Sequence, residues 1–281
     1  MKLVTFRGAD GSVKPGLLQD DSILDLTSAG FSDALEAIRQ GAEALQRAAA
    51  AGKGPRIPAA QVQLLAPIPR PPRIFCVGLN YRDHAVESKM EIPKVPTIFI
   101  KLPSAVVGPD AEVRLPSITK QPDYEAEFAI VIGKPGRRIS AEHWQDHVFG
   151  YTILNDVSAR DVQLSTSQWI LGKSFDTFCP IGPAIVTKDE IADPHALDVR
   201  MTIGGEVLQH SNTRELIFKA PELIAYISAV TPLEAGDIIS TGTPAGVGLG
   251  RNPQRWLKPG EVMIAEVDGI GRLSNPVVAG E

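Results

Sequence analysis

The chain has 281 residues, of which 43% are hydrophobic, enough for a sizeable core and too many for a disordered protein. Its net charge of -5 leaves no basic footprint for nucleic acid, and no apolar run is long enough to span a membrane. Because the N-terminal residues also lack the apolar region of a signal peptide, we expect a cytoplasmic protein that binds neither nucleic acid nor membranes. Its two cysteines, Cys76 and Cys179, should be buried, reduced thiols.

The first part of the chain predicts a small α/β subdomain. Residues 1–30 alternate short apolar runs with Gly and Asp turns, which indicates an antiparallel meander. Residues 32–51 carry apolar side chains at helical spacing with a break at Gly41, so one or two short helices should follow. The next stretch, 52–72, is rich in Gly and Pro and indicates a linker. The predicted domains are therefore 1–66, without a functional site, and 67–281.

The second domain is predicted to be rich in short strands, because the chain contains 25 Gly and 23 Pro and so many turn residues favour β structure over a helical bundle. Strands are predicted at 73–78, 97–101, 123–133, 148–155, 170–178, 184–187, 198–203, 237–241 and 261–267. Helices are predicted at 140–147, 158–164 and 221–230, the first capped by Ser140. A polar, helix-compatible segment at 79–90 lies between the first two strands and could form a lid over a cleft.

The strand predicted at 123–133 carries the first chemical signal. Alternate strand residues share a face, so Glu125 and Glu127 point the same way at the entrance to an apolar run. Two adjacent carboxylates there repel each other and lose hydration, and a bound cation would remove both costs. Oxygen-only ligation suits Mg2+, Mn2+ or Ca2+. The alternative is a solvated strand end, where a Glu-x-Glu pair is common.

A second group of polar residues follows the strand predicted at 148–155. Asp156 lies where this strand passes into a helix, so it could bind a ligand or simply cap that helix. Arg160 and Gln163 are three residues apart and share a helical face. All three side chains could therefore line one cavity.

Two further segments have several possible roles. Lys173 is a single lysine in an apolar segment, so it lies either at the surface or desolvated in a site. Its Gly-Lys-Ser context is not a phosphate loop, because Ser167 occupies the position where that motif requires glycine. The glycine-rich loop around Gly242 and Thr243 could offer backbone N–H groups and a hydroxyl to a carboxylate, or it could be an ordinary turn.

His84 has a carboxylate in helical register. His84 is followed three residues later by Glu87, and a carboxylate on one imidazole nitrogen leaves the other free to accept a proton from water. His143 and His147 have the spacing of a zinc pair, but no third ligand is evident and a surface helix is the preferred interpretation.

Taken together, these segments resemble the fumarylacetoacetate hydrolase family, in the family's order and over residues 73–278. The matching stretches are Val77-Gly78-Leu79-Asn80-Tyr81 with His84 and Glu87, Asp123-Tyr124-Glu125-Ala126-Glu127, Asn155-Asp156-Val157-Ser158-Ala159-Arg160-Asp161, Leu171-Gly172-Lys173-Ser174-Phe175 and Thr241-Gly242-Thr243-Pro244. The resemblance implies an α+β, β-rich fold: a roll of mixed β-sheets with few helices behind a small N-terminal subdomain, assembled as a homodimer. Val157 departs from the family pattern, since several members carry tryptophan there.

The resemblance also implies a role for each matching residue. A divalent metal, Mg2+ or alternatively Mn2+ or Ca2+, would be bound by Glu125, Glu127 and Asp156. His84 with Glu87 would activate water, and the reacting oxygen would be surrounded by Arg160, Gln163 and Lys173. Substrate would be bound by Thr243, which holds its carboxylate, together with Tyr81 and Gly242.

The leading hypothesis is hydrolysis of a carbon–carbon bond in a small 1,3-diketo acid of the acylpyruvate or fumarylpyruvate type, to a pyruvate-like keto acid and a carboxylic acid. The metal would act as a Lewis acid, and the oxyanion would be stabilised by hydrogen-bond donors. An oxaloacetate-type decarboxylase or a 2-hydroxydienoate isomerase would use the same metal and enolate without water. A non-catalytic binder of metal and carboxylate is the alternative from a different class.

Overall fold

The N-terminal residues form a meander and two helices, as predicted. A computed structural model describes all 281 residues, 1–281. Its first elements are β1 (Lys2–Arg7), β2 (Val13–Gln19), β3 (Ser22–Asp25), α1 (Ala34–Gln40), α2 (Ala42–Ala51), β4 (Arg56–Pro58) and β5 (Gln63–Leu65). Gly41 separates the two helices, and the side chain of Asp33 caps the first by accepting the N–H of Glu36.

The remaining chain alternates short strands with a few short helices. Its first half contains β6 (Ile74–Gly78), α3 (Arg82–Glu87), β7 (Thr97–Lys101), β8 (Val106–Val107), β9 (Val113–Leu115), β10 (Pro122–Asp123), β11 (Ala126–Ile132), α4 (Trp144–His147) and β12 (Val148–Asn155). Its second half contains β13 (Ser158–Ala159), α5 (Arg160–Gln163), α6 (Ile170–Lys173), β14 (Cys179–Thr187), β15 (Asp198–Ile203), β16 (Glu206–Asn212), α7 (Ala220–Val230), β17 (Ile238–Ser240), β18 (Val262–Val267) and β19 (Gly271–Ala279). No helix is both long and apolar enough to cross a membrane.

The strands form three sheets. A 12-stranded sheet has the order β4-β3-β2-β1-β14-β12-β11-β17-β6-β7, and β5 and β8 pair with β1 and β14. A five-stranded sheet has the order β16-β15-β18-β19-β9, and β10 pairs with β13. The large sheet is mixed, since β17 runs parallel to β6 whereas most other pairs are antiparallel. The predicted β-rich fold of mixed sheets is confirmed.

Strand β11 is buried on both faces because it separates two hydrophobic cores. Phe128 and Ile130 belong to a core of 36 buried residues, which includes the inner face of the five-stranded sheet and α7. Ala129 and Val131 belong to a second core of 24 residues, which includes α1, α2 and the N-terminal strands. Alternate residues of the strand therefore serve different cores, which explains why both of its faces are apolar.

The N-terminal strands continue the main sheet. Strand β1 pairs with β14, and the second core combines side chains from both sides of residue 66. The division into domains 1–66 and 67–281 stays a prediction about folding units, but the two parts share one sheet and one core. Cys76 and Cys179 are free and buried in that core, as expected.

Several predicted elements are wrong or incomplete. The strand expected at 170–178 is instead the helical turn α6 followed by loop, and strands β16 and β19 were not predicted. Ser140 makes no capping hydrogen bond, and the helix expected at 140–147 begins as a 3-10 turn and becomes α-helical only at Trp144. Likewise the helix expected at 158–164 is confined to α5, because Ser158–Ala159 pairs with β10.

Candidate active site

The three predicted metal ligands lie together. Strands β11 and β12 are antiparallel with Ala126 opposite Asn155, so the end of β12 lies beside the start of β11. The Asp156 N–H donates to the Glu125 carbonyl at 2.9 Å. Carboxylate oxygens of Glu125, Glu127 and Asp156 all lie within 4.8 Å of one another, and all three side chains are buried. The strand register thus brings two sequence-distant segments into one cluster.

Two buried lysines partly neutralise this cluster. Lys173 donates to Glu125 at 2.7 Å and to Asp156 at 2.8 Å, and Lys101 donates to the other oxygen of Asp156 at 2.6 Å. Burial alone would raise the pKa of Glu125, but Lys173 and Arg160 hold that pKa at about 2. Glu125 is therefore ionised.

Glu127 is in the opposite situation. Burial, followed by the charges of Asp156 and Glu125, raises the pKa of Glu127 well above its ordinary value. A cation among these side chains would relieve that repulsion. Three buried oxygen donors at this spacing suit a hard divalent ion, so the residues present fit a metal site of the predicted kind.

Backbone and hydroxyl groups orient Glu127. One of its oxygens accepts a hydrogen bond from the Ser240 hydroxyl at 2.6 Å and from the Gly242 N–H at 2.9 Å. The other oxygen has no protein donor and is available to a ligand. Gly242 thus contacts the carboxylate cluster of Glu125, Glu127 and Asp156, and its contact with substrate stays a prediction.

Arg160 connects the carboxylate cluster to Gln163. The guanidinium Nε donates to Asp123 at 2.8 Å, while Nη2 donates to Glu125 at 2.5 Å and Nη1 to the Gln163 carbonyl oxygen at 3.0 Å. The amide NH2 of Gln163 makes no hydrogen bond to protein, and Gln163 lines the cavity. It can therefore donate to a substrate oxygen.

The contact between α5 and α6 places Gln163 and Lys173 side by side. Gly172 packs against the backbone of Gln163, and a Cβ at Gly172 would lie 2.4 Å from the Gln163 nitrogen. Only glycine permits this approach. The same approach requires a helical turn at α6, which explains why the predicted strand is absent.

His84 and Glu87 form the predicted pair. His84 Nδ1 lies 3.1 Å from one oxygen of Glu87, and the other oxygen accepts the Gly246 N–H at 2.9 Å. Nε2 of His84 has no protein partner and is therefore free to act as a base. The neighbouring Asp83 accepts the Ser211 hydroxyl at 2.5 Å, which fastens the start of this segment to β16.

These groups surround one cavity of about 510 Å3. Its wall contains eight of the predicted site residues and several apolar side chains. The predicted residues in the wall are His84, Glu87, Glu125, Glu127, Arg160, Gln163, Lys173 and Thr243. Asp156 is fully buried and does not line the cavity, since its two oxygens contact Lys101 and Lys173.

Of the other two predicted substrate contacts, Thr243 lies in the cavity wall and Tyr81 does not. Thr243 lines the cavity, but its hydroxyl donates to the Ala126 carbonyl and accepts from Gln209, so a substrate carboxylate would compete with these bonds. Tyr81 is fully buried outside the cavity wall, and its hydroxyl has no hydrogen-bond partner. The roles of both residues in binding substrate stay predictions.

Three residues of this site were not predicted. The Asp123 carboxylate accepts hydrogen bonds from the Arg160 guanidinium and from the N–H groups of Gly248 and Leu249. It therefore connects the arginine to the glycine-rich loop. Lys101 and Ser240 donate hydrogen bonds to carboxylates of the same cluster, Lys101 to Asp156 and Ser240 to Glu127. The available signals were weak: Lys101 ends an apolar strand, and Ser240 precedes the Thr-Gly-Thr motif.

The profile described as "Fumarylacetoacetate (FAA) hydrolase C-terminal" matches residues 73–278. The mitochondrial oxaloacetate tautomerase fahd2 of Xenopus laevis is 46% identical over 99% of this chain and 90% of its own length. The oxaloacetate tautomerase YisK of Bacillus subtilis is 48% identical over 77% of this chain and 73% of its own.

A solved structure of an enzyme has a similar fold. The maleylpyruvate hydrolase of Sphingobium sp. SYK-6, in complex with manganese(II) and pyruvate, superimposes with a TM-score of 0.85 and 35% identity, covering 100% of both chains. Similar proteins thus include oxaloacetate tautomerases and a maleylpyruvate hydrolase.

Proposed function

The chain belongs to the fumarylacetoacetate hydrolase family, and from that premise we propose that it interconverts the keto and enol forms of a 2-oxo acid of the oxaloacetate type, using a divalent metal. One observation carries the proposal: two carboxylates of the buried three-carboxylate cluster, Glu125 and Glu127, line the same cavity as a hydrogen-bonded His–Glu pair. The first can hold a cation that acidifies a 2-oxo acid, and the second can move the proton.

Glu125, Glu127 and Asp156 would hold the cation, and a set of carboxylate ligands suits Mg2+ or Mn2+. When bound, such an ion would supply Lewis acidity that stabilises negative charge developing on the 2-oxo oxygen of the substrate. The manganese in the similar maleylpyruvate hydrolase supports this assignment.

His84 would act as the base. Its Nε2 accepts a proton from C3 of the substrate, and Glu87 stabilises the imidazolium that results. The electron pair of the broken C–H bond moves towards C2, and the 2-oxo oxygen becomes the enol oxygen after taking a proton from solvent. His84 then releases its proton to solvent, which restores the base. In the reverse direction, protonated His84 gives a proton to C3 while the enol oxygen releases its proton to solvent.

Gln163 and Lys173 would bind the same oxygen as charge develops. The Gln163 amide carries free N–H donors, and Lys173 Nζ has one N–H left after its bonds to Glu125 and Asp156. Arg160 fixes the position of Gln163, so these donors are held ready before the reaction.

The test follows the ultraviolet absorbance of enol-oxaloacetate and the exchange of its C3 hydrogen in deuterated water. The Mg2+-loaded protein should accelerate both above the rate in buffer with Mg2+, and EDTA should remove the effect. His84→Ala should lower the rate by about 10²–10⁴-fold, because it removes the base. His143→Ala is the matched control, since that histidine is exposed. Full activity in EDTA or in His84→Ala would contradict the proposal.

A second candidate is hydrolysis of an acylpyruvate, because the His84–Glu87 pair could equally deprotonate a water molecule. The similarity to a maleylpyruvate hydrolase supports it. Products separate the candidates: hydrolysis of acetylpyruvate releases pyruvate and acetate, whereas tautomerisation releases neither. Decarboxylation of oxaloacetate releases CO2 and should survive His84→Ala, and isomerisation of a 2-hydroxydienoate moves its double bonds without fragmenting it.

A further inference from the structure

The glycine-rich loop after β17 binds carboxylates of the protein itself. Its N–H groups donate to side chains of α3 and of the segment 123–127: Ala245 to Asp83, Gly246 to Glu87, Gly242 to Glu127, and Gly248 and Leu249 to Asp123. The helix that carries His84 and the strand that carries the carboxylate cluster are therefore both held by one loop.

Two carboxylates hold α3 on this loop. Asp83 and Glu87 are four residues apart and lie on the same face of the helix. Glu87 accepts the Gly246 N–H at 2.9 Å, and Asp83 accepts the Ala245 N–H in a longer contact of 3.4 Å. Asp83 also accepts the His84 N–H at 2.7 Å within the first turn. Since α3 has only six residues, it depends on such contacts for its stability.

Asp83 has a further partner outside the loop. Its second oxygen accepts the hydroxyl of Ser211, in β16, at 2.5 Å, whereas the first oxygen accepts the N–H groups of His84 and Ala245. Both oxygens are thus used within the protein, and Asp83 does not line the cavity. Asp83 can therefore influence a reaction in the cavity only through the position of its helix.

Gln209, two residues before Ser211, connects the same strand to the carboxylate cluster. This buried side chain accepts the Ala126 N–H at 2.9 Å through Oε1 and donates to the Pro244 carbonyl at 2.9 Å through Nε2. Because the Ala126 N–H can only donate and the Pro244 carbonyl can only accept, the orientation of the amide is fixed. Ala126 lies between the two glutamates of the carboxylate cluster.

Strand β16 therefore holds both parts of the proposed site. Residues two apart in a strand share a face and lie about 7 Å from each other. Gln209 is bonded to the strand of the carboxylate cluster, and Ser211 is bonded to the helix of the base.

From these contacts we propose that Asp83 is a positioning residue: through Ser211 it fixes the distance between the His84 base and the carboxylate cluster. The proposal deepens the proposed function and rests on it for its catalytic consequence. The fixed position of α3 is a property of the fold that can be measured without turnover.

Hydrogen exchange measures that property in the Mg2+-loaded protein. The N–H groups of residues 82–90 should exchange about tenfold faster in Asp83→Ala and in Ser211→Ala, because each variant loses a hydrogen bond that holds α3. Ser211→Thr keeps the hydroxyl and should restore slow exchange. Residues 126–132 should exchange at the wild-type rate in all three variants. Wild-type exchange of residues 82–90 in Asp83→Ala would overturn the proposal.

Kinetics and binding separate positioning from general damage to the fold. In Asp83→Ala, kcat for tautomerisation of oxaloacetate should fall about 10²-fold, since a misplacement of about 1 Å can cost that factor. The dissociation constants of Mg2+ and pyruvate, measured by calorimetry, should change by less than about twofold, because the cluster keeps its own contacts. A loss of Mg2+ affinity as large as the loss of kcat would overturn the proposal, since Asp83 would then support the cluster instead of the base.

Two exposed residues provide matched controls. Glu91→Ala removes an exposed carboxylate shortly after α3, and His210→Ala removes an exposed side chain next to Ser211 on the opposite face of β16. Both variants should match the wild type in hydrogen exchange and in kcat. If either reproduced the effect of Ser211→Ala, the effect would not come from the contact between Asp83 and Ser211, and the proposal would fail.

The exchange experiment also distinguishes this proposal from the proposed function. Faster exchange of residues 82–90 in Asp83→Ala, in a protein that leaves oxaloacetate and acylpyruvates unchanged, would support the anchoring of α3 and refute the proposed function. Tautomerisation of oxaloacetate by the wild type, with unchanged exchange and unchanged kcat in Asp83→Ala, would do the opposite.

Discussion

Lys101 determines the orientation of Asp156. Its ammonium group is fully buried and donates to Asp156 at 2.6 Å and to the Val157 carbonyl at 3.1 Å, and it also contacts the carbonyl of Lys173. Removing it would leave a buried carboxylate and two carbonyls without this donor, which is far more costly than losing a surface ion pair.

We therefore expect Lys101→Met to lower the free energy of unfolding by about 3–5 kcal/mol, measured by urea denaturation of the metal-free protein. Lys53→Met serves as control, since Lys53 is exposed and should change the free energy by no more than about 0.5 kcal/mol. A loss below about 1 kcal/mol for Lys101→Met would be close to the effect of a surface substitution. It would show that Lys101 is not required for stability.

Asp25 links the stability of the N-terminal part to pH. Its carboxylate accepts the N–H and hydroxyl of Thr27 at 2.8 and 2.5 Å and the Lys14 ammonium at 3.2 Å. Burial raises the pKa of Asp25, but these hydrogen bonds together lower it by more than burial raises it. The net pKa therefore lies below the ordinary 3.8. Since the folded state has the lower pKa, the stabilisation is present above pH 3.8 and is lost as pH falls through the folded value.

Asp25→Asn should accordingly unfold more easily than the wild type at pH 7, and the difference should shrink once the pH falls below about 4. Thermal unfolding of both proteins between pH 3 and 7 measures this. A difference that stays constant over that range would mean that ionisation of Asp25 contributes nothing to stability.

At the scale of elements, α5 and α6 are two short helical turns that position two residues of the proposed active site. Gln163 ends one and Lys173 ends the other, and Gly172 lets the two backbones touch. Neither turn is long enough to be stable alone, so tertiary contacts must hold both in place.

Gly172→Ala should push α6 away from α5 and displace Gln163 and Lys173 from the substrate oxygen. A misplacement of about 1 Å can cost 10²-fold in rate, so we expect kcat to fall by about that factor. Steady-state kinetics measure the effect, and Leu171→Ala is the control because that side chain is exposed. Unchanged kcat in Gly172→Ala would show that the close approach has no catalytic importance.

At the scale of the whole molecule, the edges of the large sheet are relevant to assembly. Strand β7 forms one edge, and two apolar side chains at or just beyond it, Ile100 and Leu102, are exposed. Exposed apolar residues on an edge strand are a typical contact surface for a second chain. We propose on this basis that the protein is a homodimer and that β7 contributes to the contact.

Light scattering should then give twice the chain mass of 30.1 kDa, and a variant with Ile100→Lys and Leu102→Lys should give a single chain mass. Val13→Lys is a suitable control, since Val13 is exposed on β2, which lies inside the sheet order. A wild-type protein with the mass of one chain would refute the dimer.

Sequence patterns predicted the β-rich class, β12 and β15 to the residue and the break at Gly41, and the resemblance to a known family indicated the three residues of the carboxylate cluster. Local signals suffice there, because strand alternation and turn residues act over a few positions, and the motifs resemble those of a known family. The patterns failed at α6, where contact with Gln163 outweighs the preference of an apolar run for strand.

The sequence by itself determined the residue types of the proposed site: three carboxylates, a His–Glu pair and a few cations. Only the tertiary structure decided that Asp123, Lys101 and Ser240 orient them, that Tyr81 lies outside the cavity wall, and that the N-terminal strands join the main sheet. The reason is physical: a hydrogen bond between residues 55 positions apart, as between Lys101 and Asp156, depends on strand register and burial, which no local pattern encodes.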